Sequence, residues 1–252
     1  MRITHSDETC DGILGGRIRI IQPRKGYRFS VDSILLARFV QIRRNDRVLE
    51  LGAGCGVISI ALAAMHQPRE VIAVELQPEL HMLITRNAEL NAIATLRAVT
   101  SDLRNLPDAH VARESFDAVV ANPPYRASNA GRISPNAARH VARSEASATL
   151  EDFIAAASRC LRPGGRAALV FVADRTAELI AMLREHRLEP KRIRFVHPYA
   201  GAPASTILLE ARKHGGIEAA IEPPLILFEA PGVYTKEARA VLDEIASRAP
   251  EK

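Results

Sequence analysis

From Arg47 onward, short apolar runs alternate with stretches in which apolar residues recur every three or four positions. "RVLEL" (47–51), "EVIAVEL" (70–76), "LRAVTSD" (96–102), "FDAVVAN" (116–122) and "RAALVFVA" (166–173) read as five buried strands. "VISIALAAM" (57–65), "PELHMLITRNAELN" (78–91) and "LEDFIAAASRCL" (150–161) read as the helices between them. Such alternation predicts an α/β fold, a parallel sheet covered by helices on both faces. "RPGG" before Arg166 is a helix stop that returns the chain to the sheet. "KRIRFVHP" and "STILLEARK", joined closely through "YAGAPA", predict two more strands paired antiparallel at the far side of the sheet. The sheet is therefore expected to be seven-stranded and mostly parallel, with an antiparallel last strand.

Two segments break the pattern. Residues 12–31 read as a small hairpin leading into the helix "VDSILLARFV", with Ser30 as N-cap. Residues 126–149 form a long polar insert without apolar period, a length that in a compact domain marks function or disorder. The expected organisation is a hairpin-and-helix extension over 1–40, a main domain over 41–215, and a C-terminal extension over 216–252 packed on that domain. At 47% hydrophobic and 25% charged, the 252 residues have the composition of a soluble globular protein. A net charge of +5 favours an acidic partner, though weakly. Cys10, Cys55 and Cys160 are odd in number and far apart, which suits reduced thiols in the cytoplasm and no metal. The N-terminus lacks an apolar signal core, and no apolar run reaches membrane-spanning length.

The chemistry concentrates at strand ends. "ELGAGCG" follows the first main strand, with glycines at 52, 54 and 56 that allow a sharp turn and a close ligand. Its spacing is Gly-x-Gly-x-Gly, which points away from nicotinamide and flavin cofactors. The next strand ends at Glu75, the third at Asp102 and the fourth at Asn122. Together with Glu50 they are expected on one carboxyl rim, where open α/β sheets bind ligands. After Asn122 come Pro123, Pro124 and Tyr125. Adjacent prolines remove two backbone donors and stiffen the chain, leaving an amide, a fixed carbonyl and an aromatic ring.

"ELGAGCG", Glu75, Asp102 and "NPPY" resemble the class I S-adenosylmethionine-dependent methyltransferases, whose fold is Rossmann-like. The tetrapeptide is the specific part: in that superfamily it marks enzymes methylating an amino nitrogen conjugated to a π-system. "GYRFSVDSILLARF", "IRFVHPYAGAPASTILLEARKHG" and "EPPLILFEAPGVYTKEARAVL" are further similar to the bacterial tRNA(Val) adenine-N6 methyltransferase family. One departure is Arg126, where many members carry phenylalanine. The resemblance implies S-adenosylmethionine as cofactor and a catalytic group of Asn122, Pro123, Pro124 and Tyr125. It implies donor contacts from Gly52, Gly54 and Gly56, ribose recognition by Glu75, and adenine recognition by Asp102 and the Leu103 N–H. Glu50, Ala53, Leu76 and Asn122 complete that set, and Phe29, Ser30 and Asp32 either close the methionine end or simply begin a helix.

Arg24, Lys25 and Arg28 in the hairpin segment, and Arg126, Arg132, Arg139 and Arg143 in the insert, are candidate phosphate contacts for a tRNA partner. Rival readings are a glutamine N5-methyltransferase acting on release factors, an rRNA guanine-N2 methyltransferase, and a non-catalytic RNA-binding protein of the same fold. A separate helical domain usual in the glutamine enzymes is not evident in the roughly forty residues before the cofactor-binding fold.

Overall fold

The computed structural model describes residues 4–124 and 148–243. Tyr125, Arg126, Arg132, Arg139 and Arg143 lie outside the described residues. A hairpin of β1 (Glu8–Ile13) and β2 (Ile18–Pro23) opens the chain, followed by α1 (Val31–Phe39). The first hairpin strand thus begins upstream of the expected segment. The main sheet contains β3 (Arg47–Leu51), β4 (Glu70–Glu75), β5 (Leu96–Thr100), β6 (Phe116–Ala121), β7 (Leu161–Val172), β8 (Leu188–Tyr199) and β9 (Thr206–Lys213). Their spatial order is β8-β9-β7-β6-β3-β4-β5, parallel except for β9, which runs antiparallel to both β7 and β8. These are the seven expected strands. The order reverses between β3 and β6, so a crevice opens at their carboxyl ends.

Three strands from the C-terminal segment enlarge the sheet to ten: β10 (Ala220–Ile221) and β11 (Leu225–Ala230) pair parallel with β8, and β12 (Val233–Tyr234) pairs antiparallel with β11. Among the described residues five more helices follow α1: α2 (Val57–His66), α3 (Pro78–Leu90), α4 (Leu150–Cys160), α5 (Thr176–Glu185) and α6 (Lys236–Asp243). The strand β7 starts at Leu161 and carries "RPGG" as an irregularity between the pairs Phe116↔Leu161 and Ala118↔Arg166. Among the described residues no helix is long and apolar enough to cross a membrane.

Side chains alternate between two cores. Val48, Ala118 and Val120 pack with residues of α1, α2 and the hairpin. Leu49, Leu51, Val119 and Ala121 pack with Phe153, Ile154, Leu179 and Leu183 of α4 and α5. Both faces of the central strands are covered, which is why they read as unbroken apolar runs. Asn87 on α3 ties the hairpin to the Gly-rich turn: it accepts from Ile21 N–H at 2.7 Å and donates to the carbonyls of Ile21 and Cys55 at 2.9 and 3.0 Å.

Candidate active site

A cavity of about 420 Å³ opens at the carboxyl ends of β3, β4, β5 and β6. Of the sequence-predicted residues, Gly52, Gly54, Glu75, Leu76, Asp102, Leu103, Asn122, Pro123 and Pro124 line it. Gly52 and Gly54 take φ of +68° and +58°, in the left-handed region where a side chain is strained. A Cβ on Gly54 would stand 2.2 Å from the Tyr27 ring, and one on Gly52 3.1 Å from the Phe153 ring.

Glu75 shapes the donor end. Its Oε2 accepts from the Gly54 N–H at 2.8 Å and its Oε1 from the Gln77 N–H at 2.9 Å. Burial raises its pKa, while those backbone donors pull it back. Asp102 closes the opposite wall. The Arg104 guanidinium and N–H hold its carboxyl below the usual range. Asn122 stands on the wall at the end of β6, and its Nδ2 donates to Ser33 Oγ at 3.1 Å.

Several predicted residues sit elsewhere. Glu50 points under the Gly-rich turn, 1% exposed, and accepts from the N–H (2.8 Å) and hydroxyl of Ser59 on α2. Burial pushes its pKa up to about 8. The cause is strand alternation: Glu50 lies between Leu49 and Leu51, so it faces α2, not the rim. Ala53 is buried and donates to the Val74 carbonyl, and Gly56 caps α2 at φ +82°, both behind the cavity wall. Phe29, Ser30 and Asp32 do not line the cavity. Ser30 stands at the N-cap position without a side-chain cap bond; its hydroxyl donates to Asp32 at 3.2 Å. Phe29 packs on the α1 core, and Asp32 also accepts from Thr206 on β9. Arg28 is tied to Asp11, Thr9 and the Pro23 carbonyl, and Arg24 to the Ser6 carbonyl; Lys25 is exposed. Hairpin chemistry thus engages Arg28 internally.

Seven wall residues were not foreseen: Tyr27, Val74, Gln77, Leu80, Ser101, Ala148 and Phe153. Thr149, placed in the insert from sequence, instead caps α4 through a reciprocal bond pair with Asp152. Although Tyr27 as a whole is 36% exposed, the local desolvation of its phenol, and then the nearby Cys55, Glu50 and Glu75, push it well above its ordinary pKa. Among the described residues no cluster of His, Cys, Asp and Glu is arranged to hold a metal.

The walls fit a nucleoside-bearing methyl donor. Val74, Leu80, Leu103 and Phe153 give apolar surface, Glu75 and Asp102 give two acceptors, and Gly52 and Gly54 leave room for the Phe153 and Tyr27 rings against the turn. A negatively lined pocket also suits a cationic sulfonium.

The comparisons agree. Residues 28–191 match the family model described as methyltransferase small domain. The chain is 29% identical over 246 residues to a Tolumonas auensis protein named tRNA1(Val) (adenine(37)-N6)-methyltransferase, covering 92% of this chain and 95% of that one. A structure from Agrobacterium tumefaciens described as a predicted O-methyltransferase superposes with TM-score 0.67 at 27% identity, covering 83% and 94% of the two chains. An M. jannaschii protein solved in complex with AdoMet shares the fold at TM-score 0.56 and 16% identity, over 83% of this chain and 87% of its own. The chain belongs to the methyltransferase small domain family, and it is an S-adenosylmethionine-dependent methyltransferase.

Proposed function

We propose that the chain methylates the exocyclic amino group of an adenine in tRNA. The observation that carries this reading is Asn122, followed by two prolines, lining the same cavity as the Gly-rich turn and Glu75. S-adenosylmethionine supplies an electrophilic methyl group on a sulfonium. An exocyclic amine is a poor nucleophile because its lone pair is delocalised into the ring. The task of the chain is therefore placement and lone-pair release.

Asn122 Oδ1 and the Pro123 carbonyl each accept one N–H of the amine, which aims the remaining lone pair and holds the positive charge that develops on nitrogen. The prolines stiffen that carbonyl. Tyr125 offers the base a face for stacking. On the donor side, Gly52 and Gly54 admit close backbone approach, Glu75 takes the ribose hydroxyls, and Asp102 with the Leu103 N–H takes the donor's adenine. Lys25 and the arginines of the insert contact phosphates. The Tolumonas auensis relative bears this activity in its name, over nearly the full length of both chains.

Incubation with radiolabelled donor and, in parallel, total tRNA, ribosomal RNA and a purified release factor tests the substrate class. Label in tRNA is the expected outcome. Label confined to the release factor would replace this reading with glutamine methylation.

A further inference from the structure

We propose that Ser33 is the positioning residue for Asn122, anchoring its amide at the end of β6 where the amine is to be gripped; this rests on the N-methylation reading above. An asparagine amide has two orientations of nearly equal shape that exchange an acceptor for two donors. Only the orientation presenting oxygen can accept from an amine. The other sets N–H against N–H. Nδ2 donates to Ser33 Oγ at 3.1 Å; a hydroxyl can serve either orientation, so what this contact fixes is where the amide sits.

Three further observations support this role. Ser33 is 1% exposed, so its hydroxyl is screened from water on its own side of the bond. It is a buried hydroxyl in an otherwise apolar run, Ile34, Leu35, Leu36 and Ala37 following it into the core. A polar group placed there is costly unless paired, and its side-chain partner is the amide at the acceptor end of the cavity. Finally, the turn that carries Ser33 is itself anchored. Its N–H donates to the Ser30 carbonyl at 3.2 Å, and the preceding Asp32 accepts from Ser30 and from Thr206 at the start of β9. A chain of polar contacts thus runs from β9 through α1 to the end of β6. It gives Asp32 and Ser30, which stand outside the cavity, a structural task that bears on the reaction.

The test reads the amide and the kinetics together. In ¹⁵N-labelled protein the Asn122 side-chain NH₂ signal is identified by its loss in Asn122→Ala. In Ser33→Ala that signal should shift and exchange faster with water. The kcat should fall about tenfold or more, while KM for tRNA and donor affinity stay within about twofold. Ser33→Thr, which keeps the hydroxyl, should recover most of the rate. Ser33→Ala combined with Asn122→Ala should be no slower than Asn122→Ala alone. An unmoved NH₂ signal, a wild-type kcat in Ser33→Ala, or independent losses in the double variant would overturn the proposal. So would a loss of donor affinity as large as the loss of rate, which would assign Ser33 to packing alone. If the wild-type chain methylates no RNA, the reaction reading fails by itself, and the NH₂ signal still decides what Ser33 does to Asn122.

Discussion

The donor end and the acceptor end of the cavity are held by different means. At the donor end the contacts are local: Glu75 of β4 grips the Gly54 N–H, 21 residues away, on the turn after the neighbouring strand β3. At the acceptor end the Asn122 amide is held by Ser33, 89 residues away, on a helix that precedes the strand–helix alternation. On the proposed reading the donor contacts come from the ends of the neighbouring strands β3, β4 and β5, whereas the amide that accepts the amine is held by a segment outside the strand–helix alternation. Changes at the two ends should separate binding from transfer.

The largest expected effect is at the acceptor end. Asn122→Ala removes one of two proposed acceptors for the amine, and methyl transfer should fall by about a hundred- to a thousandfold. Calorimetry should show donor affinity nearly intact. An equal loss of both would abolish the division between the ends.

Glu75→Ala should do the reverse. Loss of a charge-assisted contact, together with loosening of the Gly54 N–H, is expected to weaken donor binding roughly ten- to a hundredfold. At saturating donor, turnover should recover most of its value. Unchanged donor affinity would remove Glu75 from the donor end.

Tyr27→Ala is expected to have a smaller effect, of opposite sign. The ring takes the volume beside Gly54, so its removal should speed donor association and tighten apparent affinity by about two- to fivefold. Stopped-flow binding checks this, and slower association would make Tyr27 a contact residue instead.

Glu50 gives the smallest effect, on stability alone. Its pKa is about 8 in the folded chain, above the unfolded value of 4.5. The folded state therefore binds more protons than the unfolded one between those values, and the Glu50 contribution weakens stability as pH rises through that window. Glu50→Gln keeps an acceptor for Ser59 and should flatten the melting temperature between about pH 5 and pH 8. An unchanged pH profile would contradict the burial effect.

What could be read in the sequence follows the same division. β3, β4 and β6 declared themselves because they are buried on both faces, and the Gly-rich turn, Glu75 and Asn122 followed as strand ends. Direction within a strand was harder. Glu50 is one residue from the strand end, and alternation sends it to α2. Tyr27, Ser33 and Phe153 reach the site by packing between elements distant in sequence, which no local spacing encodes. The helix α5 escaped notice because only Leu179 and Leu183 of its ten residues are buried, a faint apolar stripe. β11 could not be foreseen as a sheet strand because its partner, β8, is supplied by tertiary pairing.

The central claim is that the end of β6 grips an exocyclic amine. It is tested most directly by digesting labelled tRNA to nucleosides after reaction with the wild-type chain. The account predicts that the transferred methyl group is found in N6-methyladenosine. Its appearance in 1-methyladenosine, where a ring nitrogen is the acceptor, would contradict the account.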